Sequence, residues 1–221
     1  MQRWRALVVV TVLLGACGAD DDTAADRAGT VESSTTEDGG TPSTAPAEDA
    51  EERPLEDVVL QLSDLPTGWS AAPAEEDDDE SFCDGRDPFN EIEPQDEAES
   101  TFQQSELGPF VVSAASRYSD DAEAAEVLDL LADVAEACQS FSVTEDDGSE
   151  TEYTITPLSF PELGDDTFAF RMSATTVLGP ITLDLAAVQE GPIVVSVGNG
   201  GLGSADGELT EALMRTMVDR L

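Results

Sequence analysis

The fold is decided by the stretch Phe168-Ala169-Phe170-Arg171-Met172-Ser173-Ala174-Thr175-Thr176-Val177-Leu178. Its apolar side chains recur at every second residue, which is the period of a half-buried β-strand. Gly179-Pro180 predicts a turn, and a second alternating run follows with Ile181, Leu183 and Leu185. Glu190-Gly191-Pro192 predicts another turn before a third strand over residues 193–197. Because the connections are short, we predict an antiparallel meander rather than a parallel sheet.

Further elements are predicted on either side of this meander. Tyr153 and Ile155 begin a short strand, and Phe110 to Tyr118 predicts an earlier one. Asp120 predicts the start of a helix, and Asp206 to Leu221 predicts a closing helix. The first of these helices carries an apolar face at helical spacing: Ala124, Val127, Leu128, Leu131, Ala135 and Cys138. A further helix is predicted from Pro54 to a turn at Pro66. We therefore expect an α+β domain in which helices pack on one face of an antiparallel sheet.

Two regions of the domain are expected to be irregular. Residues 74–106 are acidic and contain Gly85, Pro88 and Pro94, so we predict a long loop. Its Asp77-Asp78-Asp79-Glu80 run lacks the alternating ligand spacing of a calcium loop, so we predict a solvated charge run and no metal site. The cluster Gly198-Asn199-Gly200-Gly201 lacks the order of a phosphate-binding loop, and we expect a loop or a close approach of a helix there.

The beginning of the chain resembles a bacterial lipoprotein signal. Arg3 and Arg5 precede an apolar run that is too short to span a bilayer, and Leu14-Gly15-Ala16-Cys17 follows. In such signals the cysteine is lipidated, for example with palmitate, and becomes the first mature residue. We therefore expect a signal peptide at 1–16, the lipidated Cys17 with a disordered acidic Ser/Thr/Pro spacer at 17–53, and one domain at 54–221. The resemblance implies a protein anchored through this lipid to the extracytoplasmic side of the cell membrane.

The charge of the chain excludes several classes of partner. It has nine basic residues, all arginine, against 49 acidic residues, and a formal net charge of −40. Binding to nucleic acid or to anionic lipid headgroups requires clustered cations, so neither is expected. Two explanations of the acidity stay open: solubility, as in a saline habitat, and a surface that binds cations.

The composition also restricts the chemistry. There is no histidine and no lysine, which excludes serine–histidine and cysteine–histidine nucleophile pairs, Schiff bases and phosphate loops that use a lysine. A pair of carboxylates is the catalytic arrangement that remains. Asp184 and Asp129 are each flanked by leucines, but both are predicted to face water. We therefore expect no enzyme activity, no catalytic residue and no cofactor.

Once Cys17 is assigned to the lipid, Cys83 and Cys138 remain as a pair in an oxidising compartment, and we predict a disulfide between them. Trp69, Arg117 and Arg171 are the candidate ligand contacts, because they are a tryptophan in a turn and two rare cations on predicted strands. The alternatives are that Trp69 anchors the core and that each arginine pairs with a neighbouring acid.

Several short motifs occur in an order that resembles a known family. They are the Asp64-Leu65-Pro66-Thr67-Gly68-Trp69-Ser70 turn, the Gly164-to-Phe170 start of a strand, Ile193 to Val197 followed by Gly198-Asn199, and the final Asp219-Arg220-Leu221. Together with the lipoprotein signal they resemble actinobacterial lipoproteins related to the PknH-like extracellular sensor domain, over residues 54–221. That resemblance implies an α+β ectodomain with a disulfide and a cleft for an external ligand. A Mog1/PsbP-like lipoprotein fold is a second resemblance.

Three functions follow as hypotheses. The first is a non-catalytic, sensor-like domain that binds an unknown small ligand. The second is an envelope scaffold that binds another protein and has no pocket. The third is a carboxylate-based hydrolase that acts on cell-wall polymers.

Overall fold

A computed structural model describes residues 53–73, 91–105, 108–144 and 150–221. Within these ranges the strands are β1 (Ser70–Ala72), β2 (Asp96–Gln103), β3 (Phe110–Arg117), β4 (Ser140–Thr144), β5 (Glu150–Pro157), β6 (Asp166–Thr176), β7 (Gly179–Glu190) and β8 (Ile193–Leu202). The α-helices are α1 (Asp121–Ala137) and α2 (Gly207–Val218). The lipidation site, the acidic spacer and the Asp77–Glu80 run lie outside the described residues.

All of these strands belong to one antiparallel sheet. Their order across the sheet is β1-β2-β3-β8-β7-β6-β5-β4. Strands β4 to β8 follow one another as a meander, and the chain then lies beside β3, where Ala115 pairs with Val195. The last strand of the meander thereby joins the earlier β2–β3 hairpin, and the two halves of the domain share one sheet.

The two helices cover opposite faces of this sheet. Helix α2 packs through Leu213, Met214 and Met217 on a face that includes Ala186 and Val197. Helix α1 packs on the other face, and its two contact clusters there include the β7 residues Leu185 and Ala187. The central strands can bury both faces because β7 and β8 carry apolar residues at consecutive positions, not only at alternate ones.

The expected fold class therefore needs correction. The domain is mostly a large antiparallel sheet with few helices among the described residues, and the helices do not pack on one face. The predicted disulfide falls partly outside the described residues. Cys138 lies half-buried at the C-terminal end of α1, and it is the single cysteine within the described ranges, since Cys83 lies outside them. The two α-helices that were predicted with strong periodicity are both present.

The helix predicted from Pro54 to the turn at Pro66 is wrong. This segment forms two short 3-10 turns, Leu55–Asp57 and Leu62–Asp64. Three consecutive residues, Val58, Val59 and Leu60, are buried, and one stripe of an α-helix cannot bury three neighbours in sequence. The segment is instead held to the sheet, because Leu60 N donates to Ser113 Oγ at 3.1 Å.

Strand structure occurs at two places where the sequence predicts irregular chain. Strand β2 lies in the acidic region, where Phe102 is its one buried side chain and the side chains of Asp96 and Glu99 are exposed. Strand β8 continues through the glycine cluster as far as Leu202. A Cβ at Gly200 would collide with the carbonyl oxygen of Thr182 and with Leu183 Cα. The glycine therefore allows close contact between two central strands, a role that is common for glycine inside sheets.

Tyr118, directly after β3, is buried at 4 % exposure. Burial raises the pKa of its hydroxyl from 10.0 to about 12, and the nearby carboxylates of Glu97 and Glu123 act in the same direction. Between pH 10 and 12 the unfolded chain releases this proton and the folded chain keeps it, so stability falls as the pH rises. We expect a slope of about 1.4 kcal/mol per pH unit from this residue. Urea unfolding of the wild type and of Tyr118→Phe from pH 9 to 12 measures this slope. Equal slopes for the two proteins would contradict the prediction.

Candidate ligand pocket

Three polar residues form a row across the centre of the sheet. Arg171 on β6 pairs in register with Asp184 on β7, and Asp184 pairs with Asn199 on β8. Residues directly opposite one another in an antiparallel sheet project on the same face. The row lies on the face that α2 covers, because the same face carries Ala186 and Val197 two residues away on β7 and β8.

Arg171 holds Asp184 in a bidentate ion pair. Arg171 Nε lies 2.5 Å from Asp184 Oδ1, and Arg171 Nη2 donates to Asp184 Oδ2 at 2.7 Å. The Asp184 side chain is 0 % exposed and the Arg171 side chain is 37 % exposed. The hydrogen bond to Asp184 raises the pKa of the arginine. The expectation that Asp184 faces water is wrong, whereas Asp129 on α1 is exposed as predicted.

The row also fixes the start of α2. Asn199 Nδ2 donates to Asp206 O at 2.8 Å and to Thr210 Oγ1 at 3.1 Å, and both Asn199 and Thr210 are buried. Asp206 caps the helix by accepting from Leu209 N at 3.1 Å. A Cβ on Gly207 would stand 3.6 Å from Asp184 Oδ2, so the first helical residue lies against the buried carboxylate. The positive end of the helix dipole also favours a negative charge there.

A pocket of about 680 Å³ opens beside this helix start. One wall comes from the segment after β5, and the other comes from the turn into α2 and its first turns. Its lining residues are Leu158, Ser159, Phe160, Ser204, Ala205, Asp206, Gly207, Glu208 and Glu211. We call this cavity the α2 pocket. Leu158 and Phe160 are half-buried and pack against the core, so the apolar wall rests on the sheet domain itself.

The acids of the α2 pocket differ in their partners. Asp206 caps the helix, and Glu211 pairs with Arg215 one turn later at 2.9 Å. Glu208 is exposed and makes no hydrogen bond or ion pair with any described residue. No group of three or more metal-ligating side chains occurs in the described ranges. The pocket therefore offers one uncommitted carboxylate beside an apolar wall.

The predicted ligand contacts are not brought together in this pocket. Trp69 is 8 % exposed and lies in the core cluster with Leu65 and Phe102. This placement fits the alternative in which Trp69 anchors the core. Arg117 Nη2 donates to Arg53 O at 2.6 Å, and its Nη1 lies 3.6 Å from the carboxylate of Asp96. None of the predicted contacts lines the pocket, and Arg171 is connected to it only through Asp184 and the start of α2.

Sequence reasoning missed Phe160 and Glu208, which line the pocket. The run Leu158-Ser159-Phe160-Pro161 is an uncharged connection between strands in a strongly acidic chain, and that contrast was the available signal. Glu208 lies in the first turn of α2, where an acid is expected for helix stability alone. Nothing in the sequence shows that these two segments, far apart in the chain, line one cavity.

Comparison with solved structures identifies a similar fold. The crystal structure of the extracellular domain of PknH from Mycobacterium tuberculosis matches with a TM-score of 0.59 and 13 % sequence identity, over 74 % of this chain and 92 % of that one. This chain has a PknH-like fold. The resemblance seen in the sequence is therefore confirmed for the fold, and at this identity the likeness says nothing about ligand or source. No protein-family model matches the chain, and no curated protein matches it in sequence.

Neither α1 nor α2 is long and apolar enough to cross a bilayer, and no other helix in the described ranges is.

Proposed function

We propose that this chain is an actinobacterial, lipid-anchored extracytoplasmic protein whose folded domain binds a small ligand in the α2 pocket without catalysing a reaction. The observation that carries the binding role is the pocket itself, a cavity of about 680 Å³ with an apolar wall and a facing polar wall. The shared fold with the extracellular domain of PknH supports a location outside the cytoplasm.

The side chains around the pocket support binding rather than turnover. Asp184 is the fully buried carboxylate nearest the pocket, and the bidentate contact with Arg171 occupies both of its oxygens. Asp184 does not line the pocket, so neither of its oxygens is placed to exchange a proton with a ligand bound there. The chain also has no histidine or lysine to act as a base. A hydrolase that relies on two carboxylates is therefore the less favoured function.

Binding is tested by screening the full chain against small metabolites and soluble fragments of cell-wall polymers. We expect at least one compound to raise the melting temperature and to shift the amide resonances of Leu158 and Gly207, which line the pocket. A panel without any such compound would count against a ligand-binding role. Release of products from the wall polymers on incubation would instead support the hydrolase.

Anchoring is tested by replacing Cys17 with alanine. We expect the wild-type chain to incorporate labelled palmitate and to sediment with membranes, because acyl chains supply the hydrophobic attachment. The Cys17→Ala chain is expected in the soluble or secreted fraction without label. Cys138→Ala is the matched control for loss of a cysteine and is expected to leave the membrane association unchanged. Equal membrane association of Cys17→Ala and wild type would contradict lipid anchoring.

One observation favours a scaffold role as a second candidate. The turn between β6 and β7 exposes Val177 at 99 % and Leu178 at 47 %, and exposed apolar side chains side by side are common where another protein binds. A photo-crosslinking residue at position 177 in living cells tests this role. One reproducible protein adduct would support a scaffold, and adducts no more frequent than those from exposed position 129 would argue against it.

A further inference from the structure

We propose that the α2 pocket recognises an organic cation, namely an ammonium group carried on a small apolar body. This inference depends on the proposed ligand-binding role and specifies the chemistry of the same pocket. It rests on the cavity and on the aromatic ring in its wall, together with the charge of the facing wall.

One wall of the pocket carries an aromatic ring. Phe160 lines the pocket beside Leu158, and both side chains pack against the core cluster beneath them. The face of an aromatic ring attracts a cation, and carbon atoms around the charge gain from apolar contact with the same wall. Quaternary ammonium groups combine these two properties in one small group.

The other wall of the pocket is acidic. Glu208 has no partner among the described residues, and Asp206 and Glu211 add negative charge next to it. No arginine is among the described residues that line the pocket. Two arginines whose partners lie at or beside the pocket are already paired, because Arg171 is bound by Asp184 and Arg215 is bound by Glu211.

An anion, a neutral ligand and a cation would meet this pocket lining differently. An anion would meet the uncommitted carboxylate of Glu208, beside that of Asp206, in a chain of net charge −40. A neutral ligand would leave the Glu208 carboxylate unused and would gain only from the apolar wall. A cation uses both walls, and it can do so without displacing any ion pair described above. The geometry therefore favours a cation with an apolar body over the other two classes.

The test uses choline and dimethylbutanol, which places a tert-butyl group where choline has trimethylammonium. NMR titrations of the full chain follow the amides of Leu158 and Gly207 at low and high ionic strength. We expect choline to shift these amides saturably, dimethylbutanol to bind at least about fivefold more weakly, and salt to weaken choline binding. Equal affinity for the two compounds would overturn the proposal, because charge would then play no part.

Matched variants show whether the binding belongs to this pocket. Glu208→Gln and Phe160→Leu are each expected to weaken choline binding about two- to fivefold. Glu126→Gln removes an exposed charge from α1, on the other face of the sheet, and is expected to change nothing. An equal loss in Glu126→Gln would mean a diffuse effect of net charge and would overturn the proposal.

The outcome also separates this inference from the proposed function. If choline fails but a neutral or anionic compound shifts Leu158 and Gly207, the pocket binds a ligand and the cation proposal is wrong. If no compound of any class shifts them, both proposals are wrong.

Discussion

Replacing Arg171 by methionine is expected to lower the free energy of unfolding by about 3 kcal/mol. The substitution removes both hydrogen bonds to Asp184 and leaves a carboxylate at 0 % exposure without a counter-charge. Losses of 3–5 kcal/mol are typical when one partner of a buried ion pair is removed. We expect a value near the lower limit, because Arg171 is itself 37 % exposed and water can reach part of the site.

Urea unfolding at pH 7 measures this loss, and Arg215→Met is the matched control. Arg215 pairs with Glu211 on the surface of α2, where the two side chains are 50 % and 43 % exposed. Replacing Arg215 is expected to lower the free energy of unfolding by less than about 0.5 kcal/mol. The double variant Arg171→Met/Asp184→Leu is expected to recover most of the lost stability, because no buried charge then remains. Equal effects of Arg171→Met and Arg215→Met would show that the buried pair has no special role.

Replacing Gly200 by alanine is expected to destabilise the domain by about 3 kcal/mol. A Cβ at this position meets backbone atoms of Thr182 and Leu183 on the neighbouring strand β7. Backbone atoms in the middle of a sheet cannot rotate away as a side chain can, so β7 and β8 must separate locally. The cost therefore combines poor packing with weakened ladder hydrogen bonds between the two central strands.

Gly207→Ala is the matched control, because Gly207 is the first residue of α2 and a Cβ there makes an ordinary contact at 3.6 Å from Asp184 Oδ2. Alanine at a compatible position reduces the entropy of the unfolded chain, so we expect a gain of about 0.5 kcal/mol. Thermal and urea unfolding of both variants should thus give changes of opposite sign. A Gly200→Ala protein as stable as wild type would disprove the close strand contact.

Local sequence patterns predicted those helices and strands whose signals depend on residues close together in the chain. The alternation that begins at Phe168 lies in β6 as far as Thr176, and the strand predicted at Phe110 to Tyr118 is β3. The start of α1 could be predicted from the sequence because a helix cap involves residues only three apart. Asp120 Oδ1 accepts from Glu123 N at 3.0 Å. The same local reasoning failed for β2, since an acidic strand near the sheet edge has little apolar alternation to show.

Long-range contacts decided the features that matter for the site. Asp184 between two leucines was predicted to face water, because alternation places it opposite Leu183 and Leu185. It does lie on the opposite face, but α2 covers that face as well. Periodicity specifies which residues share a face of a strand; it does not specify what covers that face.

The sequence by itself determined three things about this protein: the antiparallel meander, the two capped helices, and the absence of the catalytic groupings that require histidine or lysine. Each depends on composition or on neighbours within a few residues. Only the tertiary structure decided that the helices lie on opposite faces, that Arg171 neutralises Asp184, and that Phe160 and Glu208 line one pocket. Those features join segments distant in the chain, and the packing that brings them together is a property of the whole fold.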